Sequence, residues 1–477
     1  MTRLSAEKYR DEAVKGISDP VLQKALAALQ LRFGKGTAEA YRNLPEGPGL
    51  RKKAHEIRMK AIENLDLLLE RLSEKIESRG GHVFFAKDAD EAVKYCLDTA
   101  QKHNVKLAVK GKSMLSEEIG LNEVFAAAGI EIAETDLGEY IIQLAGEHPS
   151  HIIAPAIHKT RAEIGVLFSE KLGIPYTTDP ETLTKAARKA LREKFLVAGM
   201  GITGCNIACA ETGHITVVSN EGNIRMSSTL PKVHIALMGM ERITARLSDH
   251  DILFRLLSRG AAAQKMAGYV SYIGGPRPAG QIDGPDEFHL VIIDNGRAKI
   301  LADDEFREML CCIRCGACLN ICPVYGKIGG HAYGYAYSGP VGAVVAPLLA
   351  GINRAKDLCL GETLCGACKE ACPVDIDLPR MLLLLRSKLA DGDSKWNVRR
   401  ENPAEKALYG VWSRIVQNRL IYDAFLSLSR QGQKLFTGKE GMISDLPFFM
   451  KGWTDSRDIK PLARESFITH WKKLNKR

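Results

Sequence analysis

No apolar run in this 477-residue chain is long enough to cross a bilayer. The longest, VGAVVAPLLAG at 341–351, falls far short of the ~20 residues a spanning helix needs, and Pro347 interrupts it. The N-terminal MTRLSAEKYRDEAVK lacks the apolar centre of a secretory signal, so a soluble, cytoplasmic protein is expected. A strong charge excess is also missing. The formal net charge of +9 fits an ordinary solvated surface, or small anionic substrates and acidic partners, better than nucleic acid. No solenoid-type repeat occurs. Neither a Ser-His-Asp set nor a carboxylate pair stands at a spacing specific for catalysis. The glycine-rich GMGITGCNIACAETG departs from G-x-G-x-x-G.

What is present is an ordinary globular composition, 45% hydrophobic and 26% charged, on a chain long enough for two or three domains. Residues 1–60 read as an N-terminal helical segment. The helical spacing of Ile57, Ile62, Leu65, Leu68, Leu69 and Leu72 predicts a helix that Gly80-Gly81 stops. Residues 61–300 read as an α/β open-sheet domain. Apolar runs at HVFFA (82–86), KLAVK (106–110), IEIAE (130–134) and HIIAPA (151–156) alternate with amphipathic stretches such as 88–103, the pattern of βαβ units. A second set follows at FLVAGMGITG, HITVVSN, KVHIALMGM, GYVSYIGG and HLVIIDNG. Within it, ETGHITVVSNEGN predicts a hairpin turning at Glu221-Gly222-Asn223. Residues 301–390 carry the cysteine motifs. Residues 391–477 read as a helical C-terminal region holding all four tryptophans.

Nine of the 12 cysteines lie between 311 and 372. In a reducing compartment that density points to metal ligation, not to disulfides. Cys312, Cys315, Cys318 and Cys322-Pro323 spell C-x2-C-x2-C-x3-C-P, the bacterial ferredoxin run for a [4Fe–4S] cluster. Zinc sites instead use C-x2-C pairs set further apart. A second copy, Cys365, Cys368 and Cys372-Pro373, repeats CGAC. In two-cluster ferredoxins the cysteine before proline serves the other cluster. Cluster 1 is therefore expected on Cys312, Cys315, Cys318 and Cys372, and cluster 2 on Cys322, Cys365 and Cys368. The second copy has Glu362 where its first cysteine belongs. The fourth position of cluster 2 stays open between Cys359, Glu362, solvent, a substrate, or a [3Fe–4S] cluster with no fourth iron. Cys311 is one residue out of register and reads as a spare thiol. Tyr333, Tyr335 and Tyr337 lie in a glycine-rich loop between the two copies and are expected to pack over the clusters.

With these motifs go KSMLSEEIGLNE (112–123), ETDLGEYIIQLAGEHPSHIIAPAIH (134–158), SNEGN (219–223), IGGHAYGYAYSGPVGAV (328–344) and WTDSRDI (453–459). In these stretches, and over nearly its full length, the chain resembles the lactate utilization protein B family, the iron–sulfur subunit of an L-lactate-oxidising system. The resemblance implies two [4Fe–4S] clusters on the cysteines just given, only three of them on the second cluster, and no ligand role for Cys359. It implies a sugar-phosphate-isomerase-like open sheet. It also implies two partners, a cysteine-rich subunit and a smaller protein sharing the α/β domain; a place at the membrane periphery through these partners is the alternative to a free cytoplasmic one. Together they convert L-lactate, a small hydroxy acid, to pyruvate and support growth on lactate.

Open α/β sheets bind ligands beyond the carboxyl ends of their strands. That rule makes Lys110, Lys112 and Ser113 candidates for holding a carboxylate or phosphate, with Ser116 a candidate helix cap beside Glu118. Glu211, Thr212, Asn220 and Asn223 are candidates around the hairpin that follows the glycine-rich loop, against a plain turn role. Cys205 and Cys209 are too sparse to mark a metal. His151, His158, His214 and His234 are scattered and read as hydrogen-bonded strand-end residues before bases. No residue marks where lactate would lose its hydride or proton, and a partner is the alternative place for that step. Two other readings stay open: an independent α/β enzyme acting on a small anionic metabolite, and an electron-transfer subunit for another hydroxy-acid or glycerol-phosphate dehydrogenase.

Overall fold

The computed structural model describes residues 6–400, 403–438 and 441–475, and among these it contains ten strands. They are β1 (His82–Ala86), β2 (Leu107–Lys110), β3 (Glu131–Glu134), β4 (Met200–Gly204), β5 (Ile207–Cys209), β6 (His214–Ser219), β7 (Val233–Gly239), β8 (Ile243–Thr244), β9 (Tyr269–Ile273) and β10 (Glu287–Ile293). Six of them form one sheet in the order β1–β10–β7–β4–β2–β3, and every pairing is parallel. Parallel strands covered on both faces are built from unbroken apolar runs, and all seven residues of β7 are buried. A smaller sheet, β8–β5–β6–β9, is inserted between β4 and β10.

Chain order determines where a ligand can sit. The chain leaves β2 for the edge strand β3, then returns on the other side of β2 as β4. Strand order therefore reverses between β2 and β4, and a crevice opens beyond their carboxyl ends. The helix Asn223–Thr229 lies hard against β4: a Cβ built on Gly201 would sit 1.7 Å from the Ser227 carbonyl oxygen. Gly201→Ala should therefore force the helix off the sheet at a cost of about 1–3 kcal/mol, read as a lowered denaturation midpoint.

Three local expectations need correction. HIIAPA is not a strand. Nδ1 of His151 accepts the backbone N–H groups of Ile153 and Ala154, which folds the segment into turns. The hairpin is β5–β6, turning at 210–213; Gly222, at φ +73°, instead starts the helix Asn223–Thr229. The long helix after residue 47 breaks at Asn64 into Gly47–Glu63 and Leu65–Glu77.

The N-terminal helices brace the cysteine region. Gln30 Nε2 donates to the Cys322 carbonyl, Arg51 Nε to that of Cys372, and the buried Arg58 to those of Leu310, Glu241 and Ile243. VGAVVAPLLAG lies in the helix Gly339–Ala350, which is buried from Gly339 to Leu348. Its apolarity thus serves a protein core, and among the described residues no helix is long and apolar enough to cross a membrane. The chain divides into two compact units at Arg399/Arg400. Trp396 falls in the first unit, where its Nε1 donates to Asp303. The second unit is helical. Its helices Pro403–Gln417 and Arg419–Gly432 meet through Trp412 against Tyr422 and Phe425.

Candidate metal centres and the cavity beside them

The two cysteine runs fold alike. Arg314 and Leu364, each just before a CGAC, adopt left-handed φ values of +55° and +57°. Gly316 and Gly366 follow at +76° and +87° and open the short helices Ala317–Ile321 and Ala367–Ala371. A side chain such as Arg or Leu pays for a left-handed φ, so the repeated conformation is imposed by the turn. That turn brings Cys312, Cys315 and Cys318 to one cavity, and Glu362, Cys365 and Cys368 to the other.

The runs are also interlocked. One cavity is lined by Cys312, Cys315, Cys318 and, from the second run, Cys372, against apolar Ile313 and Val341. The other is lined by Cys365, Cys368 and, from the first run, Cys322, together with Glu362. Backbone N–H groups of Arg314, Tyr325 and Ile376 point at the sulfurs of Cys312, Cys322 and Cys372, each at 3.4 Å. Glu362 stands at the place that Cys312 holds in the first run. Its Oε1 accepts the Tyr333 hydroxyl at 2.9 Å, and its Oε2 lies 3.4 Å from Cys322 Sγ. Two other cysteines face neither cavity. Cys359 Sγ turns to the Ala355 carbonyl, and Cys311 Sγ to Met59 Sδ.

This donor set suits a cationic centre. Burial, helped by Glu362 beside Cys368 and by Cys312 beside Cys372, pushes both thiols up to about 12, so without a cation they would stay protonated. Four sulfurs around one small cavity, and three sulfurs with a carboxylate around the next, match thiolate-ligated iron.

A much larger cavity, about 320 Å³, lies beyond the carboxyl ends of β2, β4 and β7, at the switch point. Lys112, Ser113 and Asn220 line it. Lys110 does not: it is buried in ion pairs with Glu134 (2.8 Å) and Glu117 (3.3 Å) and donates to Ser116. Glu211 and Thr212 are also elsewhere, accepting from the Leu247 N–H and from Arg79. The helix cap is Ser113, whose Oγ accepts from the Ser116 N–H.

The wall nearest the cysteines carries three arginines and Glu241 that no motif singled out, beside the already noted Tyr337 and Glu118. Glu118 forms a two-pronged ion pair with Arg297 (2.8 and 2.9 Å) and accepts the Tyr337 hydroxyl at 2.7 Å. Arg297 Nε also meets Glu241 at 2.9 Å, and Arg242 lies 3.6 Å from Glu241. Burial pushes the Glu241 carboxyl up, but Arg297, Arg242 and Arg314 outweigh it and hold it at about 2. The Arg314 guanidinium lies 4.2 Å over the Tyr337 ring, and its Nη1 is buried with no hydrogen-bond partner. Arg314 was in plain view between Cys312 and Cys315, and its charge was the available signal.

The histidines are structural in these surroundings. Burial lowers His151 and His234 to about 3, so both are neutral at working pH. His151 bonds Asn320, and His234 bonds Thr203. His158 pairs with Glu147, and His214 is flanked by Arg79.

The LUD domain family matches residues 69–293, and the 4Fe-4S dicluster domain family matches residues 308–376. Lactate utilization protein B from Bacillus cereus (strain AH820) is 43% identical over 470 residues, 98% of each chain. The chain belongs to the lactate utilization protein B family. The relative of the same name from Oceanobacillus iheyensis is 43% identical over 97% of this chain and 95% of its own. Membership accounts for the order observed here, a LUD-type α/β sheet followed by a dicluster iron–sulfur region, and supports an electron-transfer role in lactate utilization.

Proposed function

We propose that this chain is the iron–sulfur electron-transfer subunit of a complex that oxidises L-lactate to pyruvate. The observation that carries the reading is the pair of interlocked cysteine cavities in a chain similar, over nearly its whole length, to lactate utilization protein B. Cys312, Cys315, Cys318 and Cys372 would hold one [4Fe–4S] cluster. Cys322, Cys365 and Cys368 would hold the second, with Glu362 in its fourth place. Bound clusters supply one-electron centres, and two such centres match the two electrons released when a hydroxy acid becomes a keto acid.

The chain's own residues do the rest. The N–H groups aimed at Cys312, Cys322 and Cys372 stabilise negative sulfur. Ile313, Val341, Val374 and Leu378 keep water from the first cavity. Tyr333 fixes the Glu362 carboxylate at the second. A cysteine-rich subunit and a smaller α/β-domain protein would complete the complex in the cytoplasm.

The test is anaerobic mixing of the cluster-loaded chain with L-lactate, with and without those two partners. Bleaching of the cluster absorbance and formation of pyruvate are expected only with the partners present. Bleaching by the chain alone would make it a complete dehydrogenase. A response to glycolate or glycerol 3-phosphate but not to lactate would move the same role to another substrate.

A further inference from the structure

We infer that the large cavity binds a small monocarboxylate and that Arg314 holds its carboxylate, which sets the molecule against the wall of the first cysteine cavity. The inference rests on reading the chain as part of a hydroxy-acid-oxidising system. It adds a site and a residue to that reading, and it places substrate in this chain and not only in a partner.

Arg314 is the one described residue that lines both the large cavity and the cavity of Cys312, Cys315, Cys318 and Cys372. Its neighbours are already matched. Glu118 and Glu241 are two carboxylates for three guanidiniums, those of Arg242, Arg297 and Arg314. Glu118 is taken by Arg297, and Glu241 by Arg297 and Arg242. Among these five groups one positive charge is left over, and Arg314 is the guanidinium that ion-pairs with neither carboxylate and has a buried, unpartnered Nη1. A guanidinium cannot shed its proton to relieve that burial. Donating to an anion relieves it.

The geometry favours a planar anion. The Arg314 guanidinium carbon lies 4.2 Å from the centre of the Tyr337 ring, and the Tyr337 hydroxyl is tied to Glu118. The fork is thereby held in one orientation, which suits two-pronged binding of a carboxylate at little entropic cost. The carboxylates in the cavity favour a monoanion. A polyanion would also meet Asp136 and Glu221, which line the cavity. Lys112 is a second donor on the same wall system. Its Nζ makes no hydrogen bond, and its nearest carboxylate oxygen, on Glu139, is 3.7 Å away.

The competing account is that Arg314 only balances the thiolates of the first cluster, and a binding measurement separates the two. The cluster-loaded full chain is titrated with pyruvate by calorimetry, with inorganic phosphate as a control, and the reduced protein is followed by EPR. Pyruvate should bind with 1:1 stoichiometry and perturb one of the two cluster signals, and phosphate should not displace it. Arg314→Gln should weaken pyruvate binding roughly tenfold to a hundredfold, as expected for hydrogen bonds to a charged group, and Arg314→Lys should recover part of that loss. Ala262→Trp, which narrows the cavity from the end of the helix Leu247–Ala262, should abolish pyruvate binding with full iron content. It carries the test if Arg314→Gln fails to load iron. Unchanged pyruvate affinity in Arg314→Gln, with only a lowered cluster potential, would overturn the inference. So would retained binding in Ala262→Trp. If the chain does not bind pyruvate while the reconstituted complex is still reduced by L-lactate, the site assignment fails and the functional reading stands. If lactate reduces nothing while pyruvate binds, the functional reading fails and the carboxylate site stands.

Discussion

Cys318→Ser should cost the protein about half of its iron, from about eight atoms per chain to about four. Cys372→Ser, fifty-four residues further on, should remove the same EPR signal, because both sulfurs line one cavity. Cys322→Ser lies only four residues from Cys318, yet it should remove the other signal, since its sulfur faces Cys365 and Cys368. This crossed pattern is the discriminating result. Loss of the same signal in Cys318→Ser and Cys322→Ser would mean that each run builds its own cluster, and the assignment would fall. Cys311→Ser should leave both signals intact, as its sulfur faces Met59. The cluster losses should also destabilise the fold. Five of the seven ligand cysteines, all but Cys312 and Cys365, lie buried in one apolar core with Leu319, Tyr325 and Val344, and a metal bound only by the folded state contributes its binding energy to stability. A fall in the denaturation midpoint should therefore accompany the iron loss in Cys318→Ser and Cys372→Ser and be small in Cys311→Ser.

What could be read before the structure depended on how local the cause was. Strand runs such as KVHIALMGM and HLVIIDNG announced themselves because both faces of a parallel strand are buried. The cysteine pairing was legible because ligand spacing is fixed by the geometry of one turn. HIIAPA misled for the opposite reason: its backbone is captured by His151, and His151 is in turn held by Asn320 on the far cysteine module. Lys110 looked like a ligand donor at a strand end, but Glu134 on the neighbouring strand already neutralises it. The arginine cluster was invisible as a group. Arg242, Arg297 and Arg314 come from three separate stretches, and only the folded sheet and the cysteine loop bring them to one wall.

Glu362→Ala should take one further iron from the protein and turn the second cluster into a three-iron centre. The reason is positional. Glu362 corresponds to Cys312 in a turn whose φ values repeat at Arg314 and Leu364, so the backbone aims its side chain where a fourth thiolate would go. The carboxylate is 7% exposed. Burial pushes it above its usual range, and the hydrogen bonds of Tyr333 and Cys322 only partly offset that. A buried carboxylate next to three thiols is unfavourable unless a cation shares the cavity. Cys359 offers no substitute, since its sulfur is turned to the Ala355 carbonyl and does not line the cavity. The wild-type protein should therefore keep four irons in the second cluster under anaerobic conditions. Glu362→Ala should show an iron deficit close to one and the half-integer-spin signal of an oxidised three-iron cluster. Glu362→Cys, which completes C-x2-C-x2-C-x3-C, should keep all its iron and resist oxidative loss better than wild type. Tyr333→Phe removes the hydroxyl that orients the carboxylate, and it should leave the iron count unchanged in the absence of oxidant while speeding loss of the fourth iron in air. An unchanged iron count and spectrum in Glu362→Ala would assign the fourth position to solvent.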